Sequence, residues 1–234
     1  MNNSKSTNFV RIKNIFESIS NEYDFMNDLM TFRNHSKWKK EIAEIAIASS
    51  PKRILDIATG TGDIAINLSK INGSKIEGVD ISGNMLKIAH KKINELKIDN
   101  INLKTCEAEN LVFNDNQFDI ISIGYGVRNF SNLDKGLSES YRVLKKDGKL
   151  IILETSVPEN PIIKFLYTLI TRIYIPIIAF IFSGETKAYI YLLDSTKNFP
   201  PKNKFIEMLY KTGFKKVETR RKLYGASTIY IVSK

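Results

Sequence analysis

Thr59-Gly60-Thr61-Gly62 stands between an apolar run, Ile54 to Ile57, and the residues Ile64, Ala65 and Leu68 at helical spacing. A strand that runs into a tight glycine turn and then a helix brings backbone against a ligand without side-chain obstruction. About twenty residues on, where a ribose-binding acid is expected, a second strand, Ile76 to Val79, ends in Asp80. A carboxylate there accepts hydrogen bonds from both hydroxyls of a ribose, so the stretch reads as a site for a nucleoside-containing cofactor. The glycines alone do not exclude a dinucleotide, because Gly60, Gly62 and Ala65 satisfy a permitted form of its fingerprint. Asp56 favours another cofactor. A carboxylate ahead of the loop repels a pyrophosphate but attracts the sulfonium and ammonium of S-adenosylmethionine (SAM). The plain alternative is a glycine-rich turn that holds no ligand.

The chain around this stretch sets limits. Its 234 residues suit one α/β domain with additions, and 43% hydrophobic with 26% charged residues is ordinary for a globular protein. A single cysteine, Cys106, excludes an internal disulfide, and with only His35 and His90 as histidines no metal site is expected. Met1 to Asn8 is polar and lacks the apolar stretch of a secretory signal, which predicts the cytoplasm. The net charge of +10 suggests an anionic partner, either nucleic acid or a membrane surface. Codon bias is the bland alternative, since Ile, Lys and Asn are abundant and the lysines are scattered rather than clustered.

Taken in order, Phe9 to Ser20 places Ile12, Ile15, Phe16 and Ile19 on one helical face. Tyr23 to Met30 has no clean period and reads as a capping turn with Asn27 or Asp28 as N-cap, or as a lip over a substrate. Trp38 to Ala48 is helical again. After Asp80, a helix is expected over Gly83 to Leu96, strands over Ile101 to Cys106 and Phe118 to Gly124, and a helix over Leu133 to Leu144. A Lys146-Asp147-Gly148 turn precedes a fifth strand, Lys149 to Leu153. This alternation predicts a Rossmann-like, mostly parallel sheet with helices on both faces. Ligands of such sheets bind beyond the strands' carboxyl ends, where Thr61, Asp80, Glu107, Ala108 and Gly124 fall. Glu185 to Lys197 and Asn203 to Thr212 read as helices, and Lys215 to Arg221 with Thr228 to Ser233 as a closing hairpin at the sheet edge.

Pro161 to Ser183 approaches the apolar length of a membrane span, but Lys164, Arg172 and Pro176 interrupt it. Two basic residues in hydrocarbon are costly, so a helix lying at an interface or roofing an apolar pocket is expected instead. A plain core helix is the alternative. The chain thus divides, within one domain over 1–234, into an N-terminal helical lip (1–50), a cofactor-binding core (51–155), a hydrophobic helical insertion (156–200), and a closing helix with strands (201–234).

These residues carry a resemblance over nearly the whole chain. It resembles the UbiE/MenG family of quinone C-methyltransferases, within the class I SAM-dependent methyltransferases. The N-terminal signature is similar in Tyr23-Asp24-x-Met26-Asn27-Asp28-x-Met30 with His35 and Trp38-Lys39. The cofactor loop is similar in Leu55 to Asp63, with Ala58 where most methyltransferases have a first glycine. Arg128-Asn129, Tyr141 to Lys145, Leu153-Glu154, and Tyr191-Leu192 with Ser195 and Pro200 resemble the later signatures. There are departures. The family's usual Ser-x-Gly before the histidine is replaced within Thr31-Phe32-Arg33-Asn34, and Leu223-Tyr224-Gly225-Ala226 keeps one glycine of a usual pair.

The resemblance implies SAM as cofactor and C-methylation of a polyprenyl demethylquinol, demethylmenaquinol to menaquinol ahead of a ubiquinone-pathway ring. Loss of a hydroquinone proton makes the neighbouring carbon nucleophilic. Arg128 and Asn129 are expected to hold the developing phenolate, and His35 and Asp24 are the candidate bases. A lone histidine is otherwise a structural hydrogen-bonder, and Asp28 a helix cap. The rivals are methylation of RNA or another small molecule, and a non-catalytic SAM-binding protein at the membrane surface. No aromatic-and-basic stripe supports nucleic acid. A quinol substrate and contact at the inner face of the cell membrane are the expected partners, and a homo-oligomer is compatible with the sequence.

Overall fold

The computed structural model describes residues 2–234, with side chains from residue 10 onward. Met1, the first residue of the polar Met1–Asn8 stretch, lies outside the described residues. Seven strands form one sheet: β1 (Arg53–Ile57), β2 (Lys75–Asp80), β3 (Ile101–Thr105), β4 (Phe118–Gly124), β5 (Leu144–Thr155), β6 (Lys216–Lys222) and β7 (Ser227–Ser233). Their order is β3-β2-β1-β4-β5-β7-β6, with β1 to β5 parallel and the closing pair antiparallel. The order reverses between β1 and β4, and a ligand crevice opens at such a switch point.

The central strands are apolar on both faces because both faces are covered. On one side Ile54, Ile120 and Ile151 pack against Trp38 and Ile42 of α3 (Asn34–Ile47) and Leu68 of α4 (Asp63–Leu68). On the other, Leu55, Ile121 and Ile152 meet Leu137 of α6 (Leu133–Val143) and Phe205 and Leu209 of α10 (Lys202–Thr212). On the outer half, α5 (Gly83–Glu95) packs Leu86, Ala89 and Ile93 against Leu103. Strand β5 begins earlier than expected. Its register against β4 jumps from Phe118↔Leu144 to Ile120↔Lys149, so the Lys146-Asp147-Gly148 turn is carried as a bulge with Asp147 at φ 64.

The N-terminal region differs from expectation in two ways. Tyr23–Thr31 is a helix, α2, rather than a turn, and Asp28 lies in its last turns instead of capping a start. The helix ends where Phe32 (φ 49) and Arg33 (φ 61) adopt left-handed backbone without a glycine. Phe32 stacks on Tyr174 with ring centroids 6.1 Å apart, a contact that helps hold this unfavourable pair. In addition, α3 belongs to the sheet core, so the lip proper is α1 (Asn2–Ile19) with α2.

The insertion runs through α7 (Pro161–Leu169), a π-helical turn (Ile170–Tyr174) and α8 (Ile175–Phe182), and is followed by α9 (Thr186–Asn198). Asn160 caps it by accepting the N–H groups of Ile162 and Ile163 at 3.0 and 3.2 Å. Only 17% of its most apolar window is buried, which removes the core-helix alternative. Of the three residues it buries, Ile175, Ile178 and Ala179, the last two meet Ile19 and Met26 of the lip and Tyr189 and Leu192 of α9. Lip and insertion therefore share one apolar cluster.

Candidate active site

The carboxyl ends of β1, β2 and β4 open into a cavity roofed by Ile12, Phe16 and Tyr23 of the lip. Asp80 stands at its rim, accepting the N–H of Gly60 on Oδ2 and that of Ser82 on Oδ1, each at 2.8 Å. Two backbone donors fix this carboxylate, and each oxygen keeps a further acceptor position. Burial raises the Asp80 carboxyl above its usual range, against the pull of those N–H bonds. Gly60 turns at φ +56, and a Cβ there would meet nothing within 4 Å, so bare backbone faces the cavity. Ala58 takes the left-handed conformation, φ 54, and its Cβ fills the space where a Cβ on Gly126 would fall at 2.5 Å. Ile81, Met85 and Ala108 supply apolar walls beside Gly124. This set fits SAM: a fixed carboxylate for ribose hydroxyls, apolar walls for a purine, and open loop backbone for the amino-acid end.

Other expected cofactor residues stand elsewhere. Asp56 is fully buried behind the loop, its two oxygens taken by the hydroxyls of Thr59 and Ser122, each at 2.6 Å. Burial pushes its carboxyl up to about 6 against those hydrogen bonds. The expected electrostatic contact with an ammonium is corrected accordingly: Asp56 holds the loop through Thr59 and stands outside the cavity lining. Gly62 (φ +85) begins α4, where a Cβ would press on Ala89 at 3.0 Å, a packing position. Thr61 lines a small adjoining pocket with Gly60 and Gly124, and its hydroxyl donates to Asp24 at 2.8 Å. Glu107 is exposed, and it is buried Glu109 that lines the cavity and accepts the Asn132 N–H at 3.1 Å.

A second chamber lies across Tyr23 and Tyr125, which line both spaces. Arg128 reaches it from a single turn, Val127–Asn129, after β4. Its buried guanidinium pairs with fully buried Glu154 and donates to the Tyr125 carbonyl at 2.8 Å and to Ser195 Oγ at 3.1 Å. Asn129 points the other way. It lines the cofactor cavity, donates to the Tyr125 carbonyl at 3.3 Å and accepts the Tyr191 hydroxyl at 3.4 Å, so the expected Arg128–Asn129 pair is split between the two spaces.

His35 lines the second chamber with Arg128. The Thr31 hydroxyl donates to the Asn27 carbonyl at 2.7 Å and lies 2.9 Å from His35 Nδ1. Its one hydrogen is committed, so Nδ1 carries the proton and donates, which leaves Nε2 as a lone-pair acceptor with the Ser36 hydroxyl 3.4 Å away. Burial first, then the Lys39 charge, lower the His35 pKa below 6.5 and keep the ring neutral. Asp24 is corrected as a base candidate: it is held by Thr61 and by the Lys92 ammonium. Lys92 and Lys39 each reach Asp63 at 2.8 Å, and their charges outweigh burial to hold the Asp63 carboxyl far below its usual range. This ladder was not visible in the sequence, and neither was Glu17 of α1, which accepts the Gly83 and Asn84 N–H groups at 2.7 and 3.1 Å. Lip and core are latched at both places.

A seven-stranded sheet of this order, with such a cavity at its switch point, defines a class I SAM-dependent methyltransferase. A SAM-dependent methyltransferase from Aquifex aeolicus shares the fold, with a TM-score of 0.56, 19% identity, and coverage of 78% of this chain and 82% of that one. So does phosphoethanolamine N-methyltransferase 2 of Haemonchus contortus in complex with SAM, at TM-score 0.53 and 24% identity, over 73% of this chain and 34% of that one. The chain belongs to the ubiE/COQ5 methyltransferase family, which it matches over residues 1–234. Demethylmenaquinone methyltransferase of Chlorobaculum parvum is 39% identical over 95% of this chain and 92% of its own length. That of Alkalihalophilus pseudofirmus is 34% identical over 94% of each.

Proposed function

We propose that this enzyme moves the SAM methyl to a ring carbon of a polyprenyl demethylquinol, demethylmenaquinol by preference. The observation that supports this most is the second chamber. A neutral imidazole, its Nε2 3.4 Å from the Ser36 hydroxyl, and a buried guanidinium stand together on apolar walls, one aromatic layer from the cofactor cavity. Asp80 would hold the ribose, Gly60 and Gly124 would leave room for the cofactor, and Ala108 would offer an apolar wall to its purine. Bound SAM supplies an electrophilic methyl on a sulfonium. His35 Nε2 takes the proton of a ring hydroxyl, and Arg128 stabilises the oxyanion. Electron density rises on the neighbouring ring carbon, which would take the methyl that bound SAM supplies, and loss of the ring hydrogen as a proton would restore aromaticity. Tyr23 and Tyr125 line the passage between the two spaces and orient the ring for that in-line approach.

The names of the relatives support demethylmenaquinol over a benzoquinol. The 1–234 chain acts as one domain at the inner face of the membrane, with the exposed insertion resting on lipid and Lys164 and Arg172 near anionic headgroups. The mechanism is tested by offering the same ring in two redox states. The quinol is methylated and the quinone, which has no hydroxyl proton to lose, is not. Equal turnover of both contradicts it.

A further inference from the structure

Three spaces lie in a row. The Arg128 chamber, joined to the cofactor cavity by Tyr23 and Tyr125, shares Tyr167, Thr171, Leu193 and Thr196 with a groove between the insertion and α9. Val157, Pro176, Ile190 and Leu193 give the groove an apolar lining. We propose that this groove is a port through which the substrate's polyprenyl tail leaves the reaction chamber, an inference that rests on the quinol reading above.

The substrate's shape requires such a passage. The ring must sit beside the cofactor, whereas the tail is linear, apolar and too long for the chamber. Its exit must be apolar and must lead to something other than water. The groove meets both conditions. Of its two rim cations, Lys197 is paired with Asp194 at 2.8 Å and Arg172 is exposed. The helix beside it is α7, whose Phe165 and Ile162 are 67% and 73% exposed, so a tail emerging here meets apolar surface. The backbone is also modified at this place. The insertion opens into a π-helical turn over Ile170–Tyr174, and Thr171, on that turn, lines both the chamber and the groove. Such wide turns recur at functional sites because they re-aim side chains without ending a helix. Pro176, just beyond it, lacks the N–H that a regular helix would need. Leu223 and Ala226 also line the chamber, at the β6–β7 connection. Tyr224 beside it is 79% exposed at φ 55 on a turn rather than on an apolar helix face.

The test compares kcat/KM for a long-tailed and a short-tailed demethylnaphthoquinol in detergent, using wild type, Ile190→Trp and Ala226→Trp. Ile190 is 43% exposed, so added bulk fills the groove without entering the core. The long-to-short ratio is expected to fall by about tenfold or more in Ile190→Trp and to stay within about twofold in Ala226→Trp. An unchanged ratio in Ile190→Trp, or a fall confined to Ala226→Trp, overturns the port. Labelling of an Ile190→Cys variant by a water-soluble maleimide gives a reading independent of turnover, since Cys106 is buried. The long-tailed quinol is expected to slow labelling and the short-tailed one is not; equal rates overturn the port. A wild type that methylates neither quinol overturns the quinol reading instead, and the labelling still decides the groove.

Discussion

Among the described residues, Arg128's charge is paired with Glu154 in the protein interior, and this changes how its role must be measured. Arg128→Ala leaves a fully buried carboxylate alone, which costs about 3–5 kcal/mol of stability and obscures any catalytic effect. The double variant Arg128→Gln/Glu154→Gln removes both charges. Chemical denaturation is expected to show it recovering most of that loss, while kcat stays about 10²-fold down because the oxyanion has lost its cation. Recovery of kcat along with stability would make the pair purely structural. His35 gives a pH signature. Its lowered pKa moves the acid limb of kcat/KM below that of an ordinary histidine. The same neutral ring contributes stability that is present above pH 6.5 and lost as pH falls through its folded pKa. His35→Asn is expected to lower kcat by about 10²-fold and abolish that limb; a retained limb assigns the base elsewhere.

At the scale of elements, the sequence told most where one strand or helix carries its own signal. Ile54 to Ile57 and Phe118 to Gly124 are apolar runs bounded by turns, and Gly60 and Asp80 follow strand ends at a fixed spacing, so cavity and rim were both legible. The lip was not. Tyr23–Thr31 buries Met26 but has no side-chain N-cap and ends on a left-handed Phe32-Arg33 pair, where no glycine marks the stop. Asp24 looked like a free acid because its partners, Thr61 and Lys92, are 37 and 68 residues away. Asp56 misled for the same reason, since Ser122 is 66 residues away. The latch these contacts make is testable. Asp24→Asn loosens the lip over the cofactor cavity while Lys92 keeps Asp63. Partly exposed ion pairs are worth up to about 1 kcal/mol, so SAM dissociation in stopped flow is expected to quicken a few-fold. An unchanged rate means that the lip does not limit exchange.

For the molecule as a whole, the insertion leaves an apolar face uncovered: Phe165, Leu169, Ile173 and Phe180 are exposed, and from the lip Phe25 and Phe32 are exposed too. Phe25 packs edge-on to Phe182 at 5.7 Å, which makes lip and insertion one surface. Its apolar length was legible in the sequence, but the sharing of a core with the lip was not, because that depends on how Ile178 and Ala179 dock. Replacing Phe165, Leu169 and Ile173 by Ser is expected to weaken binding to anionic vesicles by about tenfold or more, with high salt releasing the wild type. Retention through alkaline carbonate would show a span instead. The central claim is that the two adjoining spaces deliver a SAM methyl to a quinol ring carbon. Incubation of the purified chain with trideuteromethyl-SAM and reduced demethylmenaquinol in detergent, followed by product mass and ring-proton NMR, tests it most directly. The account predicts one CD3 group on carbon, replacing the ring proton beside a hydroxyl. Label on oxygen, or no transfer from SAM that binds, contradicts it.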